Sequence, residues 1–162
     1  MKWTLGMRSL LTISSTKATA LINAAFPNKS RSMGIISREI EDFFPDKALK
    51  CPSDAELVAV AKMIPPQEWT EDFDCDDFAG RYYCKARSVS KQGGGMGWAI
   101  GQVIFEKTDK VDSPHAMNIA IVDYKGTPTV RVMEPQETGD GAARYFLHKA
   151  GPKYVLRFVT IG

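Results

Sequence analysis

The sequence predicts an α+β domain in which N-terminal helices pack on a C-terminal antiparallel β-sheet. Before residue 90, apolar residues recur at helical spacing, whereas from residue 98 onward apolar and polar residues alternate as they do in strands. The 162 residues, with 44% hydrophobic and 25% charged residues, suffice for one globular domain with its own core. Helices and strands that are segregated along the chain are typical of α+β folds.

Two helices are predicted between residues 34 and 66. The first covers residues 35–44 and ends at a proline, which cannot continue a helix. The second begins with a capping box, Ser53 followed by Glu56, and ends before two consecutive prolines.

A third helix is expected to begin at Cys75. The apolar residues Phe78, Ala79 and Tyr82 follow this cysteine at helical spacing. Cys75 is therefore predicted to lie at a helix N-terminus, where the helix dipole and free amides favour a thiolate.

The remainder of the chain is predicted to form the sheet. Its segments alternate in polarity and are rich in β-branched residues, and a glycine-containing turn separates the second from the third. The predicted strands are 98–107, 115–124, 129–134 and 153–161, with a turn at Lys125, Gly126 and Thr127.

The first 33 residues are predicted to be a basic, Ser/Thr-rich head, and the domain itself to span residues 34–162. No acidic residue occurs before position 39, while six lysines and arginines do. This composition fits a basic arm, an organelle presequence or an extension from an upstream start codon.

Composition and cysteine spacing limit the classes of binding partner and the cellular compartments that are expected for this protein. Residues 39–162 hold the other fifteen of the twenty-one basic residues against nineteen acids, so they lack the basic excess of a nucleic-acid-binding core. No apolar run reaches the roughly 20 residues of a membrane helix, which predicts a soluble protein without a membrane partner. Three cysteines without zinc-ligand spacing favour free thiols and a reducing compartment such as the cytoplasm. The oligomeric state is left open.

A thiol nucleophile needs a base and a group that orients the base. His115 opens a predicted strand and is better placed as the base than His148, which follows a glycine-rich loop near the chain end. Glu134 ends the next strand, where the strand register decides whether its carboxylate reaches the imidazole. An amide of Gln136 or Asn118 is an alternative partner for the ring.

Three short motifs carry a resemblance to a known family. They are Asp-Cys-Asp-Asp-Phe-Ala at 74–79, His-Ala-Met-Asn at 115–118 and Glu-Pro-Gln at 134–136. In this order and spacing they resemble the papain-like cysteine peptidase superfamily, particularly its transglutaminase-like cysteine proteinases and the cysteine-protease domain of the fairy-ring mushroom agglutinin. The resemblance covers about residues 34–162.

The resemblance implies a papain-like fold and a catalytic triad. In it, Cys75 attacks an acyl carbon, His115 moves the proton, Glu134 orients His115, and Gln136 lines the site. Papain-type sites commonly carry an oxyanion-hole glutamine about six residues before the cysteine.

This sequence departs from that pattern, because Trp69 occupies the position of the oxyanion-hole glutamine and Gln67 lies two residues earlier. The donor is then expected to be the Trp69 indole, Gln67 or backbone amides at Cys75. No cofactor is required by such chemistry. The agglutinin domain's calcium dependence implies Asp76 and Asp77 as calcium ligands, although a solvated acidic surface is the simpler interpretation.

These observations predict a cysteine-nucleophile hydrolase that cleaves peptide or amide bonds through an acyl-enzyme, with a peptide or protein as substrate. Transglutaminase-like acyl transfer and cell-wall peptide hydrolysis are alternatives with the same nucleophile. A different class of hypothesis is a papain-like scaffold reused as a phage or host-interaction binding protein, since fold does not determine function.

Overall fold

The computed structural model describes residues 11–26, 48–68, 70, 72, 74–92, 96–107, 110–136, 146–149 and 154–161. Within these ranges the chain has mixed α/β structure with three helices and seven strands. The elements are β1 (Thr12–Ser14), α1 (Ser15–Ala25), β2 (Ala48–Lys50), α2 (Asp54–Lys62), α3 (Cys75–Lys91), β3 (Ile100–Lys107), β4 (Lys110–Tyr124), β5 (Thr127–Glu134), β6 (Phe146–Lys149) and β7 (Tyr154–Ile161). The predicted helix at 35–44 lies outside the described residues.

Two antiparallel sheets organise the strands. The larger has five strands in the order β6-β5-β4-β3-β7, and the smaller pairs β1 with β2. The four predicted strands correspond to β3, β4, β5 and β7, with β4 beginning five residues earlier than expected. The prediction is confirmed as mixed α/β structure with antiparallel sheets, but β1 precedes α1 and β2 precedes α2, so the helices do not all come before the strands. β6 and β7 form opposite edges of the larger sheet, although only four residues separate them in sequence.

Helix α2 begins at the predicted capping box. The Ser53 hydroxyl accepts a hydrogen bond from the Glu56 amide at 3.2 Å, and the Glu56 carboxylate accepts one from the Ser53 amide at 2.8 Å. These reciprocal bonds satisfy amides that have no partner within the helix. Lys50 adds an ion pair to the same carboxylate at 3.3 Å.

Helix α3 is the 17-residue helix that carries Cys75 as its first residue. Asp74 is its N-cap, and the buried face includes Phe78, Ala79 and Tyr82, as the apolar spacing predicts. This face packs on β4 and β3. None of the helices in the described ranges has the length and apolar character that a bilayer crossing requires.

The turn between β4 and β5 has two residues, Lys125 and Gly126, with φ angles of 54° and 81°. Positive φ at both positions is typical of the type I′ turn, which matches the twist of antiparallel strands. Asp123 accepts a hydrogen bond from the Gly126 amide at 2.7 Å. Thr127, predicted as part of the turn, is the first residue of β5.

The core does not begin at residue 34, which corrects the predicted boundary. Ile13, Ala18, Ile22 and Phe26 are buried in the same cluster as apolar residues of the larger sheet. Apolar residues of α1 at helical spacing give this helix a face that can pack, despite its basic, Ser/Thr-rich surroundings. The nature of the head beyond these residues stays a prediction.

Helices cover both faces of the larger sheet. One face, called here the α1 face, packs against α1, β1 and β2, and the other, the α2–α3 face, packs against the two later helices. Sheet residues of the α1 face include Val103, Met117, Ile119, Ile121, Val130 and Val132. Those of the α2–α3 face include Ile100, Ala120, Val122 and Met133.

Candidate functional site

The Cys75 thiol lies where the start of α3 meets strand β4. Its sulfur accepts a hydrogen bond from the Ala116 amide at 3.4 Å, and the residue is half-buried. The paired register of β4 with β5 ends at Asn118 and Met133, so Ala116 lies two residues beyond the last pair. The sulfur is thereby brought next to the strand segment that carries His115.

His115 and Glu134 form a direct pair. The distance between His115 Nε2 and Glu134 Oε2 is 2.5 Å, and the two side chains are 21% and 15% exposed. The register explains this contact: one step beyond the last β4–β5 pair, Glu134 lies opposite Met117, diagonally across from His115. Gln136 also reaches Glu134, but through its backbone amide, which donates to Oε1 at 3.2 Å.

The environment of Cys75 favours the neutral thiol. Burial raises the pKa of Cys75 above its ordinary value, and the negative charges of Asp74 and Asp76 raise it further. The hydrogen bond from the Ala116 amide acts in the opposite direction but is the smaller effect compared with burial. A raised pKa of Cys75 disfavours the thiolate, which is the form that nucleophilic attack requires.

Acidic residues flank the thiol on the first turn of α3. The Asp77 carboxylate accepts a hydrogen bond from the Asp74 amide at 3.2 Å, and Asp74 accepts one from the Asp76 amide at 3.2 Å. A side-chain hydrogen bond between Asp74 and Asp76 lowers the pKa of Asp74 and raises that of Asp76. The surface beside Cys75 is therefore anionic, with one proton held more tightly between two carboxyls.

The residues beside Cys75 form a group that could hold a metal ion. Ligand atoms of Asp74, Cys75 and Asp76 lie within 4.8 Å of one another, a set that combines two carboxyls with a thiol. Calcium takes six to eight oxygen ligands, and thiols select softer metals. Of the two predicted calcium ligands, Asp76 belongs to this group, while the Asp77 carboxylate accepts the Asp74 amide as part of the helix cap.

Of the two side chains predicted as oxyanion-hole donors, only Gln67 lies among the described residues. The half-buried Gln67 donates its amide to the neighbouring Glu68 carbonyl at 3.5 Å. Trp69 lies outside the described residues. Of the other cysteines, Cys51 is buried and Cys84 is exposed. Burial raises the pKa of Cys51 to about 11.

Asn118 takes a different place from the one the sequence suggested. Its amide does not replace Glu134 at the imidazole. Instead, Nδ2 donates to the Ala79 carbonyl of α3 at 2.9 Å and to the Gly101 carbonyl of β3 at 3.2 Å. The sequence contains one signal that could have indicated this role, because Asn118 is the single amide side chain among the apolar residues of a buried strand.

The described chain is thus a mixed α/β domain with a half-buried thiol, imidazole and carboxylate at the junction of a helix N-terminus and an antiparallel sheet. No protein-family model matches the sequence, and no curated protein matches it either. Two similar solved structures are a complex of PSL1a with E64 and a Polyporus squamosus lectin bound to the human-type influenza-binding epitope Neu5Acα2-6Galβ1-4GlcNAc.

The likeness extends along most of this chain. The PSL1a structure has a TM-score of 0.61 and 20% identity, over 93% of this chain and 51% of that one. The second structure has a TM-score of 0.64 and 18% identity, over 93% of this chain and 49% of that one. This chain therefore spans about half the length of the proteins it matches, and the likeness is one of fold.

These similarities contradict the assignment to the cysteine peptidases. The neighbouring structures are those of a sugar-binding lectin. The predicted hydrolase function, the predicted class of cysteine protease and the interpretation as a catalytic triad are therefore corrected. Of the sequence-based alternatives, a scaffold used for binding fits the comparisons better.

Proposed function

We propose that this chain is a binding module whose ligand is a carbohydrate. Its binding site is formed by Cys75, His115, Glu134 and Gln136, called here the thiol–imidazole site. The observation that carries the proposal is the His115–Glu134 pair, held at 2.5 Å with both side chains partly exposed, and next in the chain to Ala116, whose amide donates to the Cys75 sulfur.

The chemistry of this site suits hydroxyl groups. A carboxylate accepts hydrogen bonds from sugar hydroxyls, and the imidazole and thiol can each donate or accept one. Glu134 is oriented by two contacts, one from His115 and one from the Gln136 amide. A pre-oriented acceptor loses less freedom when a ligand binds, which favours affinity.

The charge around the site favours a neutral sugar over an acidic one. Asp74, Asp76 and Asp77 follow one another along the first turn of α3, and Asp76 and Asp77 are exposed. Their field disfavours the carboxylate of a sialic acid residue, while galactose and N-acetylglucosamine carry no charge. The Galβ1-4GlcNAc part of the epitope bound by the neighbouring lectin is therefore the ligand we propose.

The fold comparisons support a binding role in general terms. One neighbour is described as a lectin with a bound glycan, and this chain corresponds to about half of that protein. The predicted papain-like layout, with a cysteine at a helix N-terminus against a C-terminal antiparallel sheet, is kept here as a proposal about the scaffold. In this proposal the scaffold holds the residues that bind the glycan.

The proposal is tested by titrating isotope-labelled full-length chain with Galβ1-4GlcNAc and following backbone amide shifts by NMR. We expect saturable shifts at Ala116 and Gln136. Glu134→Gln keeps the shape of the side chain but removes its charge, and should weaken binding about tenfold or more, as loss of a charge-assisted hydrogen bond implies. Neu5Acα2-6Galβ1-4GlcNAc should bind more weakly than the neutral disaccharide.

The matched control is Glu68→Gln, which removes the carboxylate of an exposed residue that is not one of the four residues of the proposed site. Its affinity for the disaccharide should equal that of the unmodified chain. Absence of shifts at the site with either glycan contradicts the proposal. So does peptide cleavage that is lost in Cys75→Ala, because a binding module does not turn over its ligand.

A further inference from the structure

Asn118 is a buried amide that joins three elements. It lies on β4 with no exposed surface, and its Nδ2 bonds to the Ala79 carbonyl of α3 and the Gly101 carbonyl of β3. Both donor hydrogens of the amide are therefore used. Each of these bonds ends on backbone, so the side chain links the helix to the centre of the sheet.

The oxygen of the Asn118 amide differs from its nitrogen in making no such contact with the described residues. Asn118 Oδ1 is buried and finds no hydrogen-bond partner among the described residues. A buried acceptor without a partner costs free energy, so an apolar residue of similar size would be the better choice for stability alone. The amide is therefore better explained by what its two donors position than by its contribution to the core.

The spacing of the contacts between α3 and β4 indicates which part of the helix the Asn118 amide positions. Ala79 lies four residues after Cys75, a rise of about 6 Å along a helix. Asn118 lies two residues after Ala116, a rise of about 6.7 Å along a strand. The two helix–strand contacts, Cys75 to Ala116 and Ala79 to Asn118, are thus matched in spacing, so that α3 and β4 are fixed at two successive points.

We propose that Asn118 is a positioning residue of the thiol–imidazole site, which fixes the height of the α3 N-terminus against β4 and thereby holds Cys75 against Ala116. Its effect on ligand affinity rests on the proposed function. Its effect on the position of Cys75 does not, because that position can be measured through the thiol without any ligand.

The test compares Asn118→Leu with the unmodified chain by timed iodoacetamide labelling, mapped to each cysteine by mass spectrometry from pH 7 to 10. Cys84, exposed on the outer side of α3, is the internal reference. When the link is lost, we expect the Cys75 sulfur to become more exposed and its pKa to fall. The Cys75-to-Cys84 rate ratio at pH 8 should rise at least about threefold, the change that half a pKa unit gives.

Thr19→Val is the matched control, because Thr19 Oγ1 is also buried and has no hydrogen-bond partner among the described residues, but it lies on α1, on the other face of the sheet. Its labelling ratio should not change. Asn118→Ser is measured in the same way should the leucine variant fail to fold, since it removes the reach of the amide and keeps a side chain that can form a hydrogen bond.

The outcomes separate the two proposals. A folded Asn118 variant with an unchanged Cys75-to-Cys84 ratio and an unchanged pH profile overturns the positioning role. A raised ratio supports it, whether or not Galβ1-4GlcNAc binds. If the disaccharide binds the unmodified chain, Asn118→Leu should also weaken that binding, while Thr19→Val should leave it unchanged.

Discussion

The two faces of the five-stranded sheet are buried to a similar extent but differ in chemistry. The α1 face packs apolar side chains, among them Ile22, Phe26 and Ile119, which have no exposed surface. The α2–α3 side contains buried polar groups, namely Asn118 and Arg131 on the sheet and Glu56 on α2. Each of these polar groups bonds to a neighbouring element.

This difference indicates a division of roles within one sheet. Apolar contacts are not directional, so the α1 face stabilises the fold without fixing the exact height of a helix. Hydrogen bonds are directional, so the bond from Asn118 to the Ala79 carbonyl can fix the height of α3 on the α2–α3 side. The thiol–imidazole site is built at the N-terminal end of this helix.

The largest expected effect comes from a cavity in the α1 face. Ile119→Ala should lower the free energy of unfolding by about 2 to 5 kcal/mol, as for other buried aliphatic residues. The measurement is urea denaturation followed by circular dichroism. Because Ile119 points away from α3, the Cys75-to-Cys84 labelling ratio of the folded variant should stay unchanged. A change as large as that of Asn118→Leu would show that the two faces are not separate in role.

A smaller effect is expected from the link between α2 and α3. The Tyr82 hydroxyl donates a hydrogen bond to the Leu57 carbonyl at 2.8 Å, and both residues are buried. Tyr82→Phe removes only this donor, so unfolding should become easier by about 1 kcal/mol. Tyr83→Phe on the same helix, where the ring is only half-buried, is the comparison variant and should change stability less. An equal loss in both variants would contradict a specific role for the Tyr82 bond.

The smallest effect is expected at a residue that belongs to neither face. Lys125 has a φ of 54° in the β4–β5 turn, where asparagine is much more favourable than lysine. Lys125→Asn should therefore raise the unfolding free energy. The gain should be less than about 1 kcal/mol, because the substitution also removes the contact of the lysine with the Tyr124 ring, which stabilises the fold. A rise in the urea midpoint measures this gain, and a fall would show that the ring contact is the stronger effect.

Much of the fold follows from local signals. The Ser53–Glu56 capping box, the apolar spacing after Cys75 and the alternation in the strands each predict the element that the structure contains. Helix α1 was missed because the composition of its surroundings outweighed the apolar spacing within it. The early part of β4 was missed because Pro114 and charged residues interrupt its pattern.

The site was predictable only in part. The sequence singles out Cys75, His115 and Glu134. The structure pairs His115 with Glu134 and brings the Cys75 sulfur to the amide of Ala116, the residue next to His115 in the chain. What the sequence could not give is the ionisation of the thiol, which depends on how deeply Cys75 is buried and on which carboxylates face it. The inward direction of Asn118 was equally hidden, because a strand pattern does not say which backbone carbonyls an amide will meet.

Strands β6 and β7 are neighbours in sequence but not in the sheet. Antiparallel strands that are joined by a short connection commonly pair with each other as a hairpin, whereas here β6 pairs with β5 and β7 pairs with β3. The three inner strands therefore lie between two segments that only four residues separate in sequence. A strand added from another chain would have to pair with β6 or β7, so these two strands control access to both edges of the larger sheet.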